Sequence, residues 1–228
     1  MGEVIRRTAA VADILEDTRE TYRNATARQG KWKELADERI APVITIVDNV
    51  SAQLKHAEDE AAPLIAALDA EDDHADRTIG KVSDDVWNAV GRPASDAALS
   101  ILFPGGNSFY VDGDVNEQPD KMDMLVFLLQ ANVHPKLPKE MADAASQELT
   151  NATNALRKAV DAARGPRTKV LLFQRILAAV AKSAAIELAN YKRLLKGNGF
   201  SEAEIHAVIP DRSDASPRRL PPTPRPKP

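Results

Sequence analysis

The chain has 228 residues, of which 43% are apolar, 28% charged and only 4% aromatic, and it contains no cysteine. That length accommodates one large domain or two small ones with a substantial core, and the absence of cysteine excludes disulfides, thiolate zinc sites and cysteine nucleophiles. Net charge is −4, and because residues 216–228 carry Arg218, Arg219, Arg225 and Lys227 without an acid, the rest of the chain holds −8 and repels nucleic acid and anionic membranes.

Alanine is abundant and aromatic residues are scarce, a balance that favours helix over strand and lets helices approach closely. The start, Met1-Gly2-Glu3-Val4-Ile5-Arg6-Arg7, has no apolar stretch of signal-peptide length. Arg6 stands where a myristoylation motif needs Ser or Thr. The most apolar runs, 124–129 and 176–181, fall far short of a bilayer crossing. A soluble, cytoplasmic protein is the expectation.

In chain order, Val4, Thr8, Val11, Leu15, Thr18, Tyr22 and Ala25 mark a first helix that stops near Gly30. From 36 to 68 the apolar residues Ala36, Ile40, Val43, Val47, Val50, Leu54, Ala57, Ala61, Leu64 and Leu68 alternate steps of four and three. This is the stripe of a coiled-coil seam. Pro42 and Pro63 lie within it and predict kinks, because the register continues past both. A third helix carries Ala142, Ala145, Leu149, Ala152, Leu156, Ala159 and Ala163, opened by Pro138 and closed at Gly165. A fourth carries Val170, Phe173, Leu177, Val180, Ala184, Leu188, Tyr191 and Leu195 and ends at Gly197. The pattern predicts an all-α fold, a long four-helix bundle with coiled-coil-like heptads.

An insert at 71–137 separates the second and third long helices. It predicts a helix with Ile79, Val82, Val86, Trp87 and Val90 on one side, a break at Gly91-Arg92-Pro93, and a short helix from Ser95 to Leu102. Asp112-Gly113, flanked by Phe109, Tyr110 and Val111, reads as a small hairpin. The helix predicted over 120–133 is apolar nearly all round and needs a cover. Ser201-Glu202-Ala203-Glu204 is a capping box. The bundle domain is thus 1–209, and the Pro- and Arg-rich segment 210–228 reads as a disordered tail, with six prolines in 217–228.

Candidate chemistry is sparse. Asp112, Asp114, Asn116, Asp120 and Asp123 occupy positions 1, 3, 5, 9 and 12 of a twelve-residue loop, the oxygen spacing of a calcium loop. Glu117 replaces the turn glycine, Asp123 replaces the bidentate glutamate, and Pro119 stiffens the loop. A polar turn leading into an Asp-capped helix accounts for the same residues. Glu71 and His74 form one Glu-x-x-His step of a di-iron bundle, without the second step or the further glutamates. The acids after His56, Glu58-Asp59-Glu60, are consecutive and point around the helix, as a solvated face does. Nucleophile-elbow, P-loop and dinucleotide motifs are missing. Arg218, Pro221 and Pro224 match a basic-x-x-Pro-x-x-Pro ligand for aromatic grooves, although a solubilising tail has the same composition.

These features rank a non-enzymatic scaffold or oligomerising interaction protein first, with a protein partner or self-association as a homo-oligomer and no cofactor. A metal-binding bundle or an enzyme with an unrecognised site comes second. A membrane-active protein that releases its apolar insert comes third.

Overall fold

The computed structural model describes residues 9–210. Among these residues there are helices and no strand: α1 (Val11–Arg28), α2 (Gly30–Arg39), α3 (Ala41–Ala89), α4 (Ala97–Leu102), α5 (Ser108–Val111), α6 (Gln118–Gln130), α7 (Lys139–Gly197) and α8 (Glu202–His206). The all-α expectation holds. They form two compact units, one from the residues up to Lys55 together with those from Leu172 on, the other from His56–Leu171. The helices α3 and α7 contribute to both.

In the first unit, Ile14 and Leu15 of α1 pack with Val43 and Val47 of α3 and with Ala181, Ala184 and Ala185 of α7. The three alanines let the helix backbones come close. A second cluster joins Trp32, Leu35 and Ala36 of α2 to Leu188, Tyr191 and Leu195 of α7, with Ile205, Val208 and Ile209 beneath them. The Tyr191 hydroxyl donates to the Trp32 carbonyl at 3.1 Å, and burial drives its pKa well above the ordinary tyrosine value. The capping box forms as the sequence predicts. Ser201 Oγ accepts from the Glu204 N–H, and the Glu204 carboxylate accepts from the Ser201 N–H at 2.8 Å.

In the second unit α3 and α7 run antiparallel. Glu60 pairs with Lys169 and Lys81 with Glu148, so residue numbers rise along one helix as they fall along the other. The core between them holds Ile79, Val82, Val86, Leu149 and Leu156 and is closed by Met122, Leu125 and Leu129 of α6.

Several expectations change. The insert boundary at 71 does not exist, because α3 continues unbroken to Ala89. The stripe of threes and fours simply continues through Leu68, Asp72, Ala75, Ile79, Val82 and Val86. Pro42 lies in the first turn of α3, where no backbone bond is lost, whereas Pro63 is inside the helix. The hairpin at Asp112-Gly113 is replaced by the single turn α5. Tyr110 decides this: it is fully buried, its hydroxyl donates to the Leu102 carbonyl at 2.6 Å, and Phe103 and Phe109 meet its ring edge-on. The expected helix positions Val4 and Thr8 and the tail lie outside the described residues.

The largest correction concerns Gly165, where the third predicted helix should end. Instead α7 runs through Gly165 and Pro166 as one helix of 59 residues. The two predicted seams share one register, since Ala163, Pro166 and Val170 are three and then four apart. A helical proline costs about 3 kcal/mol and a glycine about 1 kcal/mol. Buried residues hold the helix on either side of the pair, Leu156, Val160 and Ala163 before it and Ala181, Ala184 and Ala185 after it. Gly165 has helical backbone and open space where a Cβ would stand. Gly165→Ala is therefore expected to raise the unfolding free energy by about 0.5–1 kcal/mol in urea titration. A loss of stability would mean that the glycine is needed for the helix to pass Pro166.

Candidate functional site

The five residues of the candidate calcium loop are drawn to protein partners. The Asp114 carboxylate accepts from the Asn116 N–H and side-chain amide at 3.0 and 2.6 Å, which hold its pKa below the usual carboxylate range. The Asp112 carbonyl accepts from Lys121 Nζ. Asp120 and Asp123 both face Arg157 of α7, at 3.1 and 2.7 Å. The local cause is Pro119 at loop position 8, in the first turn of α6, which opens at Gln118. The backbone is therefore helical where a cation loop would still be wrapping. Among the described residues, no three Asp, Glu or His side chains converge as a metal site. Glu71 is half-buried and His74 is exposed on α3. The tail residues Arg218, Pro221 and Pro224 lie outside the described residues.

The buried polar side chains are Asp17, Thr18 and Thr21 in the first unit and Thr78, Gln118, His134, Ser146 and Thr153 in the second. Buried Thr18, Thr78 and Thr153 each donate to the carbonyl four residues back on their own helix, and Ser146 to the one three back, so they ask for no external partner. Asp72 is different. It occupies a seam position of α3, half-buried, and its buried Oδ1 has no hydrogen-bond partner. Burial, and then the neighbouring carboxylates Asp76, Asp73 and Asp69, raise its pKa.

The most distinctive surface is on α7 in the first unit. From Leu172 to Val180 no residue is buried, although the stretch includes Leu172, Phe173, Ile176, Leu177 and Val180. Leu172 is 54% exposed and Ile176 also faces solvent, while Leu177 and Val180 are half-covered by the unit's own core. On α3 of the same unit Ile46 is exposed as well. Scattered apolar residues on a surface are ordinary, but a continuous helical run of them marks an interaction face. The spacing places Phe173, Leu177 and Val180 on the seam of the fourth predicted helix and leaves out Leu172 and Ile176. The available signal was that these two fall outside the alternation of threes and fours. In the second unit α6 exposes Phe127, at 67%, and Met124, so the apolar helix is only partly covered. No described helix is long and apolar enough to cross a membrane. Compared with known proteins, the chain matches no family model, no curated protein and no solved structure.

Proposed function

We propose that this protein is a non-enzymatic scaffold that self-associates through α7. The observation that carries this reading is the run Leu172–Val180, five large apolar side chains with none buried. The charges favour a second copy as the occupant. Residues 164–175 include four basic side chains and no acid, whereas residues 56–73 include seven acids and neither Lys nor Arg. Within one chain the two stretches already meet where Lys169 pairs with Glu60, and the same complementarity between copies would select register and partner more than it adds affinity. The assembly we infer is a four-helix bundle made between chains, with α3 and α7 from each and heptad seams at its centre.

Light scattering and sedimentation on the full chain test it. The native protein is expected to be dimeric at micromolar concentration. The double variant Leu172→Glu with Ile176→Glu should be monomeric with an unchanged helical circular dichroism signal, because both side chains are already exposed. A monomeric native chain, or a variant that stays dimeric, overturns the reading. A second reading, contact with a lipid surface through α6, rests on Phe127 and Met124. Leakage of vesicles that disappears in Phe127→Ser would favour it over self-association.

A further inference from the structure

A cleft of about 360 Å³ opens in the second unit between the C-terminal end of α3 and α4, and its walls include Ser83, Asp84, Trp87, Ser95, Asp96 and Ser100. Its shape comes from the way α3 ends. The Arg92 N–H reaches back to the Trp87 carbonyl at 2.9 Å, with Gly91 and Arg92 at positive φ, a Schellman-like stop. The Trp87 indole N–H then donates to the Pro93 carbonyl at 3.2 Å, and the Arg92 guanidinium lies over the ring, 5.5 Å from its centroid. The ring is fixed, yet 42% of the residue remains exposed.

The opposite wall is equally constrained. Asp96 caps α4, its Oδ1 accepting from the Ala98 and Leu99 N–H groups at 2.8 and 3.1 Å. Behind it sits His134, 1% exposed. The His134 Nδ1 accepts from the Lys136 N–H, so in the neutral ring the proton belongs on Nε2. That Nε2 has no hydrogen-bond partner and lies 3.4 Å from Asp96 Oδ1. The Leu99 N–H above all, helped by Ala98 and His134, keeps the Asp96 carboxyl below the usual range and therefore ionised. The hydrogen bonds to the Asp96 carboxylate fall on Oδ1, while its carbonyl accepts from the Ser100 N–H and hydroxyl, and the residue lines the cleft. Asp84 and the hydroxyls of Ser83 and Ser95 have no partner among the described residues.

The walls therefore offer two carboxylates, three hydroxyls and two aromatic rings, and no basic side chain among the lining residues. Carboxylates only accept hydrogen bonds, and an ammonium only donates them. A tryptophan ring attracts cations as well. We propose that this cleft binds a small organic ammonium group, with Asp84 and Asp96 as counter-charges and Trp87, whose ring already carries Arg92 on one side, as a wall of the cleft. The proposal is independent of self-association through α7. The ammonium comes either from a free amine or from a lysine side chain of another protein, and the two sources are separable.

The test is calorimetry on the full chain, together with its tryptophan emission, since Trp87 and the buried Trp32 are the only two tryptophans. The probes are 1,4-diaminobutane, N-acetyl-lysine amide and the uncharged 1,4-butanediol. Saturable binding of the diamine alone assigns a free-amine site, and binding of both amines assigns a lysine side chain. In either case Asp84→Asn, an exposed change, should weaken binding at least about tenfold, and Asp96→Asn is avoided because it removes a helix cap. Absence of saturation by either amine up to about 10 mM, equal binding of the diol, or undiminished affinity in Asp84→Asn overturns the proposal.

Discussion

Leu149→Ala is expected to lower the unfolding free energy by about 3 kcal/mol, within the usual range of about 2–5 kcal/mol for a buried leucine. Leu149 is fully buried on α7 and shares a core with Ile79 and Val82 of α3 and Leu125 of α6. Three helices surround the site, so the cavity left by the truncation cannot close by moving one of them. Leu172→Ala removes the same atoms from a side chain that is 54% exposed, and in the separated monomer should change stability by no more than about 0.5 kcal/mol. Urea titration of the two variants at low protein concentration checks the contrast. Equal losses would show that the Leu172 face is packed within the chain, and the proposed interaction surface would fall with that result.

Asp72→Leu should act in the opposite direction, stabilising the protein by about 1–3 kcal/mol, the usual cost of a buried polar group without a partner. The position follows Leu68 by four residues and precedes Ala75 by three, so leucine continues the stripe that surrounds it. It also removes a charge from the cluster with Asp69, Asp73 and Asp76. The sign of the pH dependence follows from the raised pKa. The folded state holds the Asp72 proton more tightly than the unfolded chain does. The penalty is thus absent below the ordinary aspartate pKa and complete above the raised folded value. The advantage of the leucine variant should be largest at neutral pH and shrink as pH falls toward about 4. Thermal unfolding of both proteins across that range measures it. A gain that is the same at both ends would assign the effect to packing and not to the carboxylate. Asp73→Leu, at an exposed neighbouring position, is the control and should be nearly neutral.

Much of the helical architecture was already written in the spacing of apolar residues. Of the ten stripe residues from 36 to 68, Ala36, Ile40, Val43, Val47, Ala57, Ala61 and Leu68 are buried and Val50, Leu54 and Leu64 are half-buried. The Ser201 capping box formed where its two side chains predicted. These features depend on residues within a turn or two of each other, so local chemistry decides them. The ends of the long helices were less legible. Gly91-Arg92-Pro93 and Gly165-Pro166 look alike as breakers, yet only the first ends a helix. After Val90 the chain leaves the stripe, whereas after Ala163 the positions Pro166 and Val170 stay in register and the helix continues to the buried Ala181.

What the sequence by itself determined is therefore the helical class and the Ser201 capping box, because a period of 3.6 residues and a capping side chain act over a few positions. The tertiary structure alone decided which apolar faces lack a cover, as with Leu172 and Ile176. It alone brought His134 behind Asp96, 38 residues away in the chain, and turned Asp120 and Asp123 toward Arg157. Exposure and convergence are sums over neighbours from distant parts of the chain, and no local pattern carries that sum.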